Sequence, residues 1–325
     1  MLTQSGLMIG VANDSVIDCL SDQSNFSLQI PATKISSPQT ADYEIISEFD
    51  DSMAGANKIG IQVEQNVYAW NQLELKDFVI VEYQLTNLNS HHLDNLYLGL
   101  YMDYDLNNLV LNTVEYDQSN RLMIEKSNDG SNLWAGAKLL SDNNDNCYAF
   151  DFFSGGLGGI DVTDGFTKTE KFTALSSSRF TAGFDTINDV AGLISAGPFT
   201  VQSGESFKVS FALLAGINYQ NFYNAAFSAQ NIYDSLFKSI DKIPDFSNNV
   251  IIYPNPVDNY LNIEFYSDKS EIIYVELFDS NGEKVKIYNY RSANGINHIK
   301  INISDLPKGT YLLKKGNLYR KIVIS

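Results

Sequence analysis

The chain has 325 residues, and its 22 Lys+Arg against 39 Asp+Glu give a formal net charge of −17. So acidic a surface disfavours DNA, RNA and anionic lipid, because binding those polyanions needs basic side chains that displace counterions. At 44% hydrophobic residues the chain can bury a substantial core, its length exceeds the common single-domain range, and no run approaches the roughly 18 apolar residues of a membrane span.

Nineteen Phe and nineteen Tyr, with abundant Asn, Ser, Thr and Gly, predict an all-β chain of strands joined by polar turns. Met1 leads directly into LTQSGLMIGV, without the basic start and apolar stretch of a secretory signal. Alternation then marks sandwich strands: Val79, Val81, Tyr83 and Leu85; Leu96, Leu98, Leu100 and Met102; Phe207, Val209, Phe211 and Leu213. Cys19 and Cys147 are the only cysteines. Without a CxxC spacing or nearby histidines they make no zinc site, and both a disulfide between them and two buried thiols are compatible with the sequence.

The end of the second strand carries the one predicted chemical site. Asp103 and Asp105 in MDYDLNN lie two apart, with Asn107 following and Asp117 downstream, and hard oxygen ligands clustered in a loop suit Ca²⁺. The EF-hand order is absent, since the sixth and twelfth positions counted from Asp103 are Asn108 and Val114. A solvated turn explains the same residues, and a second, sparser acidic stretch lies at Asp142 to Asp145. Elsewhere the search for catalytic groups finds no GxSxG, HExxH or phosphate-binding loop. His91 and His92 are adjacent and so point to opposite sides of an extended chain, His298 sits in a predicted strand beside Ile299, and SGGLGGID at residues 154–161 reads as a turn.

Two helices are predicted within the strands. Thr167 and Glu170 form a capping box for a short helix through Leu175, and Phe222, Ala226, Ala229, Tyr233, Leu236 and Ile240 recur on one helical stripe. After them DKIPDFSNN, residues 241–249, loses apolar periodicity and is read as a linker. Charge changes across it: residues 1–249 carry a net −19 and residues 250–325 a net +2. In the last part Leu261, Ile263 and Phe265, then Ile273, Val275 and Leu277, then Ile299, Ile301 and Ile303 give period-2 strands separated by Ser280-Asn281-Gly282 and Gly316-Asn317 turns. About seven short strands are expected, in a small Ig-like sandwich, with YPNP at residues 253–256 bending the chain at a sheet edge.

These ordered motifs, NNVIIYPNPVDNYLNIEF, VELFDSNGEKV and INISDLPKGTYLLKKGNLYRKIVIS, resemble the type A C-terminal sorting domain of the type IX (Por) secretion system. The resemblance implies export through the periplasm and outer membrane, handling by the type IX machinery, and a sorting signal in which Pro254, Asn255, Pro256, Gly282, Gly309, Tyr311 and Lys321 are the residues of interest. Because such cargo first crosses the inner membrane, it also implies a missing N-terminal portion ahead of Met1.

FVIVEYQLTN at residues 78–87, LYLGLYMDYDL at 96–106, DGFTKTEKFTALSS at 164–177 and AGPFTVQSGESFKVSFALLAG at 196–216 resemble the β-rich region downstream of the catalytic domain in Bacteroidetes secreted subtilisin-like proteins. That implies residues 1–240 are an accessory β-sandwich with minor helices, belonging to a larger polypeptide with an upstream catalytic domain. No Ser-His-Asp constellation accompanies it, so no enzyme activity and no cofactor beyond Ca²⁺ are expected. The alternative is a glycan-binding module or cryptic hydrolase using acidic and aromatic loops. A deep cleft with convergent, perturbed carboxylates separates the hydrolase from the accessory reading, and exposed coplanar aromatics mark glycan binding.

Overall fold

The computed structural model describes residues 2–20, 24–184, 189–237, 250–267, 269–279, 282–293, 295–316 and 318–324. It divides into two compact units, 1–238 and 239–325. The predicted linker, Ile240 and the Ser280-Asn281 pair lie outside the described residues.

In the first unit a five-stranded sheet runs, in spatial order, Asp145–Asp151, Val190–Val201, Leu93–Tyr104, Leu2–Ala12 and Ser15–Asp18. A nine-stranded sheet runs Thr181–Ala182, Asn112–Asp117, Leu122–Ser127, Trp134–Leu139, Ser206–Gly216, Phe78–Asn87, Ile61–Ala69, Tyr43–Asp50 and Ser27–Lys34. The two stack as a sandwich. Leu7, Leu98, Leu100 and Met102 of one meet Val63, Val81, Tyr83 and Phe211 of the other in the central core. All three predicted alternating segments are strands, and their alternate residues do face that core.

Their other faces are buried too, which alternation did not predict. Helix α1, Lys168–Ser176, covers the five-stranded sheet over Tyr97, Tyr101, Phe150 and Leu193. Helix α2, Tyr219–Leu236, covers the nine-stranded sheet over Phe78, Ile80, Leu122 and Ile124. The unit therefore has four layers, helix, sheet, sheet, helix. Nine residues are too few for a helix to persist alone in water, so α1 depends on its ends and its docking. Its predicted capping box is present: the Glu170 N–H donates to Thr167 Oγ1 at 3.3 Å and the Thr167 N–H donates to Glu170 Oε2 at 2.8 Å. At the other end the Leu175 carbonyl accepts from Ser195 Oγ at 2.7 Å and Asn146 Nδ2 at 3.2 Å, so the sheet itself caps the helix. Gly99 allows the seating, because a Cβ there would lie 2.8 Å from Leu175 Cδ2 and 2.9 Å from Ser195 Cβ.

In α2 the buried stripe is Phe222, Ala225, Ala226, Ala229 and Tyr233. Leu236, expected on it, is exposed in the last turn of the helix. Burying Phe222 completely contributes about 1.5–3 kcal/mol toward docking the helix.

The second unit is the expected seven-stranded sandwich. A three-stranded sheet, Val250–Tyr253, Tyr260–Ser267 and Gly295–Asn302, faces a four-stranded one ordered Lys284–Arg291, Ile272–Phe278, Gly309–Lys315 and Leu318–Ile324. Leu261, Ile263 and Phe265 pack with Val275, Leu277, Leu313 and Ile322 in its core. As expected, YPNP follows an edge strand.

Candidate metal centre and sorting tail

In Leu93–Tyr104 the even residues Leu96 to Tyr104 face the central core, while Tyr97 and Tyr101 face α1. Asp103 takes the parity of Tyr101 at the end of the strand. Strand Val190–Val201 pairs antiparallel beside it with Gly192 opposite Met102. Continuing that register places Asp189 at the level of Asp105. On the other side Leu2–Ala12 pairs Gln4 with Asp103, and the Thr3 hydroxyl donates to Asp105. Carboxylate oxygens of Asp103, Asp105 and Asp189 lie within 4.8 Å of one another.

The opposite sheet places another acid near the backbone of Tyr104. Leu122 and Ile124 point toward α2, so Met123 and Glu125 point inward. Asn112 Nδ2 donates to the Tyr104 carbonyl at 3.0 Å and contacts Glu125 Oε1 at 3.4 Å, which fixes the Glu125 carboxyl beside the residue that separates Asp103 from Asp105. Glu125 is completely buried. Asp103 Oδ1, Glu125 Oε2 and Asn112 Oδ1 are all buried with no hydrogen-bond partner among the described residues. Three orphaned acceptors at one end of a sandwich demand a positive charge or protons, since each would otherwise bear its full desolvation cost.

Burial, and then the charges of Asp189 and Asp105, push the Asp103 carboxyl up to about 7. Burial and then Asp103 push Glu125 well above the carboxylate range, against the pull of the Tyr104 backbone. Asp189 is raised as well, by burial first and Asp105 after it. The folded protein therefore holds protons that the unfolded chain has released, so for Asp103 the penalty is absent below about pH 4, accumulates as pH rises, and is complete above about 7, and Glu125 and Asp189 act in the same direction. In chelator, stability is expected to fall across that window by about 1–2 kcal/mol, less than the full shift implies because the partly exposed aspartates are screened by solvent. Urea titrations at pH 5 and pH 7.5 check the sign, and a rise in stability over that interval would contradict it.

Two of the predicted calcium ligands belong elsewhere. The Asn107 amide donates to Asp129. Asp117 closes the turn after its strand, accepting from Asn120 N at 3.1 Å and Asn120 Nδ2 at 2.7 Å, and also meets Tyr223 Oη of α2 at 3.4 Å. Strand parity explains the error: Asp117 points to the α2 side, opposite to Val114 and Glu125. Asp189 joins Asp103 and Asp105 instead, with Glu125 beside Tyr104. The stretch at 142–145 is likewise engaged, with Tyr116 donating to Asp145 and Arg121 lying 3.8 Å from Asp142. His92 meets Asp94 at 2.9 Å and His298 meets Glu264 at 3.4 Å, both pairs with largely exposed histidines. The SGGLGGID segment is a turn containing the short 3-10 helix Gly156–Gly158.

The disulfide is not formed, and both thiols are free. Cys147 lies in the strand at one edge of the five-stranded sheet and Cys19 directly after the strand at the other. Four strand spacings separate those edges by roughly 19 Å, where a disulfide needs Cα atoms within about 7 Å. Burial raises both thiol pKa values.

A cavity of about 480 Å³ opens between the sheets, lined by Leu7, Phe26, Phe49, Tyr83, Met102 and other apolar residues, with Ser5, Ser24, Gln65 and Cys19 as polar members. Among the described residues no carboxylate, histidine, lysine or arginine lines it.

In the tail Asn255 is a clamp. Its Nδ2 donates to the Lys321 carbonyl at 3.0 Å and its Oδ1 accepts from the Val323 N–H at 2.8 Å, while the Val257 N–H donates to the Val323 carbonyl at 2.8 Å. The segment between Pro254 and Pro256 is thus fastened to the last strand of the other sheet. Tyr311 is buried and donates to the Pro307 carbonyl at 2.8 Å. Gly282, at φ 81°, occupies the left-handed turn position that favours glycine. The Lys321 side chain, Gly309 and Thr310 are exposed.

Among the described residues no helix is long and apolar enough to cross a membrane. No curated protein matches the chain. Among solved structures a polysaccharide lyase is similar at 9% identity and a TM-score of 0.35, covering 100% of this chain and 40% of the lyase. Heparan sulfate lyase HepC from Pedobacter heparinus is similar at 6% identity and a TM-score of 0.30, covering 92% of this chain and 29% of that enzyme. This chain thus spans less than half the length of either lyase, and likenesses this low do not bear on its activity. Residues 251–325 match the family described as the secretion system C-terminal sorting domain, and the chain is therefore a secreted, Bacteroidetes-type protein handled by the type IX machinery and exported to the cell surface or beyond it.

Proposed function

We propose that the body is a non-catalytic accessory module, serving a catalytic domain of the same secreted polypeptide, and that the sorting tail delivers both. The observation that carries this reading is that the cavity between the sheets and the converging carboxylates are different places. The cavity between the sheets is lined without an acid, a histidine or a base, whereas a catalytic site brings such groups into the concavity that holds substrate. Its one thiol, Cys19, is raised by burial and hence a poor nucleophile. Where carboxylates do converge, Asp103 and Glu125 each bury an oxygen that accepts nothing among the described residues, an arrangement suited to holding a cation. The resemblance of much of residues 5–230 to regions downstream of secreted catalytic domains points the same way.

One observation favours a cryptic hydrolase. Asp103, held near neutrality, has the proton affinity that a general acid needs. A single assay decides between the readings. Incubated with neutral and acidic polysaccharides and with casein, the full chain is expected to release no reducing ends, unsaturated sugars or peptides. Turnover by the wild type that disappears in Asp103→Asn would overturn the accessory reading and assign the acid.

A further inference from the structure

The four acids come from both halves of the sandwich. Asp103 and Asp105 end a central strand of the five-stranded sheet, Asp189 precedes its neighbour, and Glu125 with Asn112 reaches in from the nine-stranded sheet. Three aspartate oxygens are already gathered. Proximity of acids alone would signify little, but the orphaned atoms point to a ligand independently. Asp103, 8% exposed, and Glu125, 0% exposed, each bury a carboxylate oxygen that accepts nothing, and the carbonyl oxygen of Asn112 does the same beside them. One cation would satisfy these acceptors together.

Carboxylate and amide oxygens without nitrogen or sulfur are the donor set of a hard cation. Calcium takes about six to eight such oxygens and tolerates irregular geometry, whereas magnesium keeps several waters and is held by one or two carboxylates, so three gathered aspartates favour calcium.

We propose that Asp103, Asp105, Asp189 and Glu125, with the Asn112 carbonyl oxygen beside them, form a calcium site that staples the two sheets of the body together at one end. Strand Leu2–Ala12 is drawn into the same staple through the contact of Thr3 with Asp105. The proposal goes beyond the accessory reading and stands whether or not the body has catalytic activity.

The test uses the purified full chain, stripped with EGTA. Terbium titrated into it should show tyrosine-sensitised emission, since Tyr101 and Tyr104 flank Asp103 in the sequence, and calcium should quench that emission by competition. Calcium at a hundredfold excess over its Kd should raise the melting temperature of the body by roughly 5–10 °C over EGTA. Asp105→Asn/Asp189→Asn, at two partly exposed positions, should remove both signals, and Glu125→Gln, nearly isosteric, should do so if the first variant folds poorly. Absence of terbium emission, or equal melting in calcium and EGTA, would overturn the site. So would a double variant that gains stability in EGTA while the wild type ignores calcium, because the acids then only share protons. A calcium shift that survives both variants would place the ion elsewhere and sink this ligand set.

Discussion

Deleting residues 250–325 is expected to reduce surface delivery to near zero while leaving the body folded. The tail is a separate compact unit with its own core, Leu261, Ile263, Phe265, Leu313 and Ile322 among it, and among the described residues the body's cores are built from the body alone. Removing the address should therefore strand a native body in the periplasm. Folding of the retained material is readable directly, because both tryptophans, Trp70 and Trp134, lie in the body and report on nothing else. Recognition and architecture are separable within the tail. Asn255→Ala removes two hydrogen bonds to the last strand and should destabilise the tail by about 1–3 kcal/mol. Lys321→Ala changes an exposed side chain and should alter export without altering tail stability. Fractionation of cells into periplasm, surface and medium settles the matter, and normal surface delivery of the deleted protein would end the idea that the tail carries the address.

How much of this was legible in the sequence depended on the range of the interactions. Period-2 alternation found the inward faces of the central strands, Leu96 to Met102 and Phe207 to Leu213, and the tail, because every second side chain of a strand shares one face and the repeat is a local signal. It missed the outer faces. Tyr97 and Tyr101, or Phe78 and Ile80, are buried only because α1 and α2 return to cover them, and coverage from so far along the chain leaves no mark in the strand itself. The acidic cluster was half legible for the same reason. Asp103 and Asp105 are adjacent enough to notice, whereas Asp189 joins them through the Gly192 to Met102 register and Glu125 through sandwich closure. A signal for Glu125 did exist, as a carboxylate at an inward position of the apolar strand Leu122–Ser127. Asp117 and Asn107 were chosen for their nearness in sequence, but strand parity turns Asp117 to the other face and the Asn107 amide is engaged by Asp129 in the loop. The cysteines show the same limit, since two residues of one sheet can stand at its opposite edges.

Asp151→Ala is expected to be among the most damaging single substitutions in the body, at about 3–5 kcal/mol. Its carboxylate is 3% exposed and meets Arg179 Nη2 at 2.6 Å, while its other oxygen accepts from the Gly183 N–H at 2.8 Å. Arg179 Nη1 also donates to the Ala149 carbonyl at 2.8 Å. These bonds tie the edge strand Asp145–Asp151 of one sheet to residues 179–183, which include the edge strand Thr181–Ala182 of the other. Removing the carboxylate leaves a largely buried guanidinium without its counter-charge and an amide without its acceptor, and such uncompensated groups cost more than the pair contributed. Replacing both partners avoids that penalty, so Asp151→Leu/Arg179→Met should recover most of the loss and show strong coupling in a double-mutant cycle. Urea unfolding of the full chain followed by tryptophan fluorescence isolates the body transition. A single-variant loss under about 1 kcal/mol, the range of a solvated surface pair, would show that the edges of the two sheets are held together by something other than this ion pair.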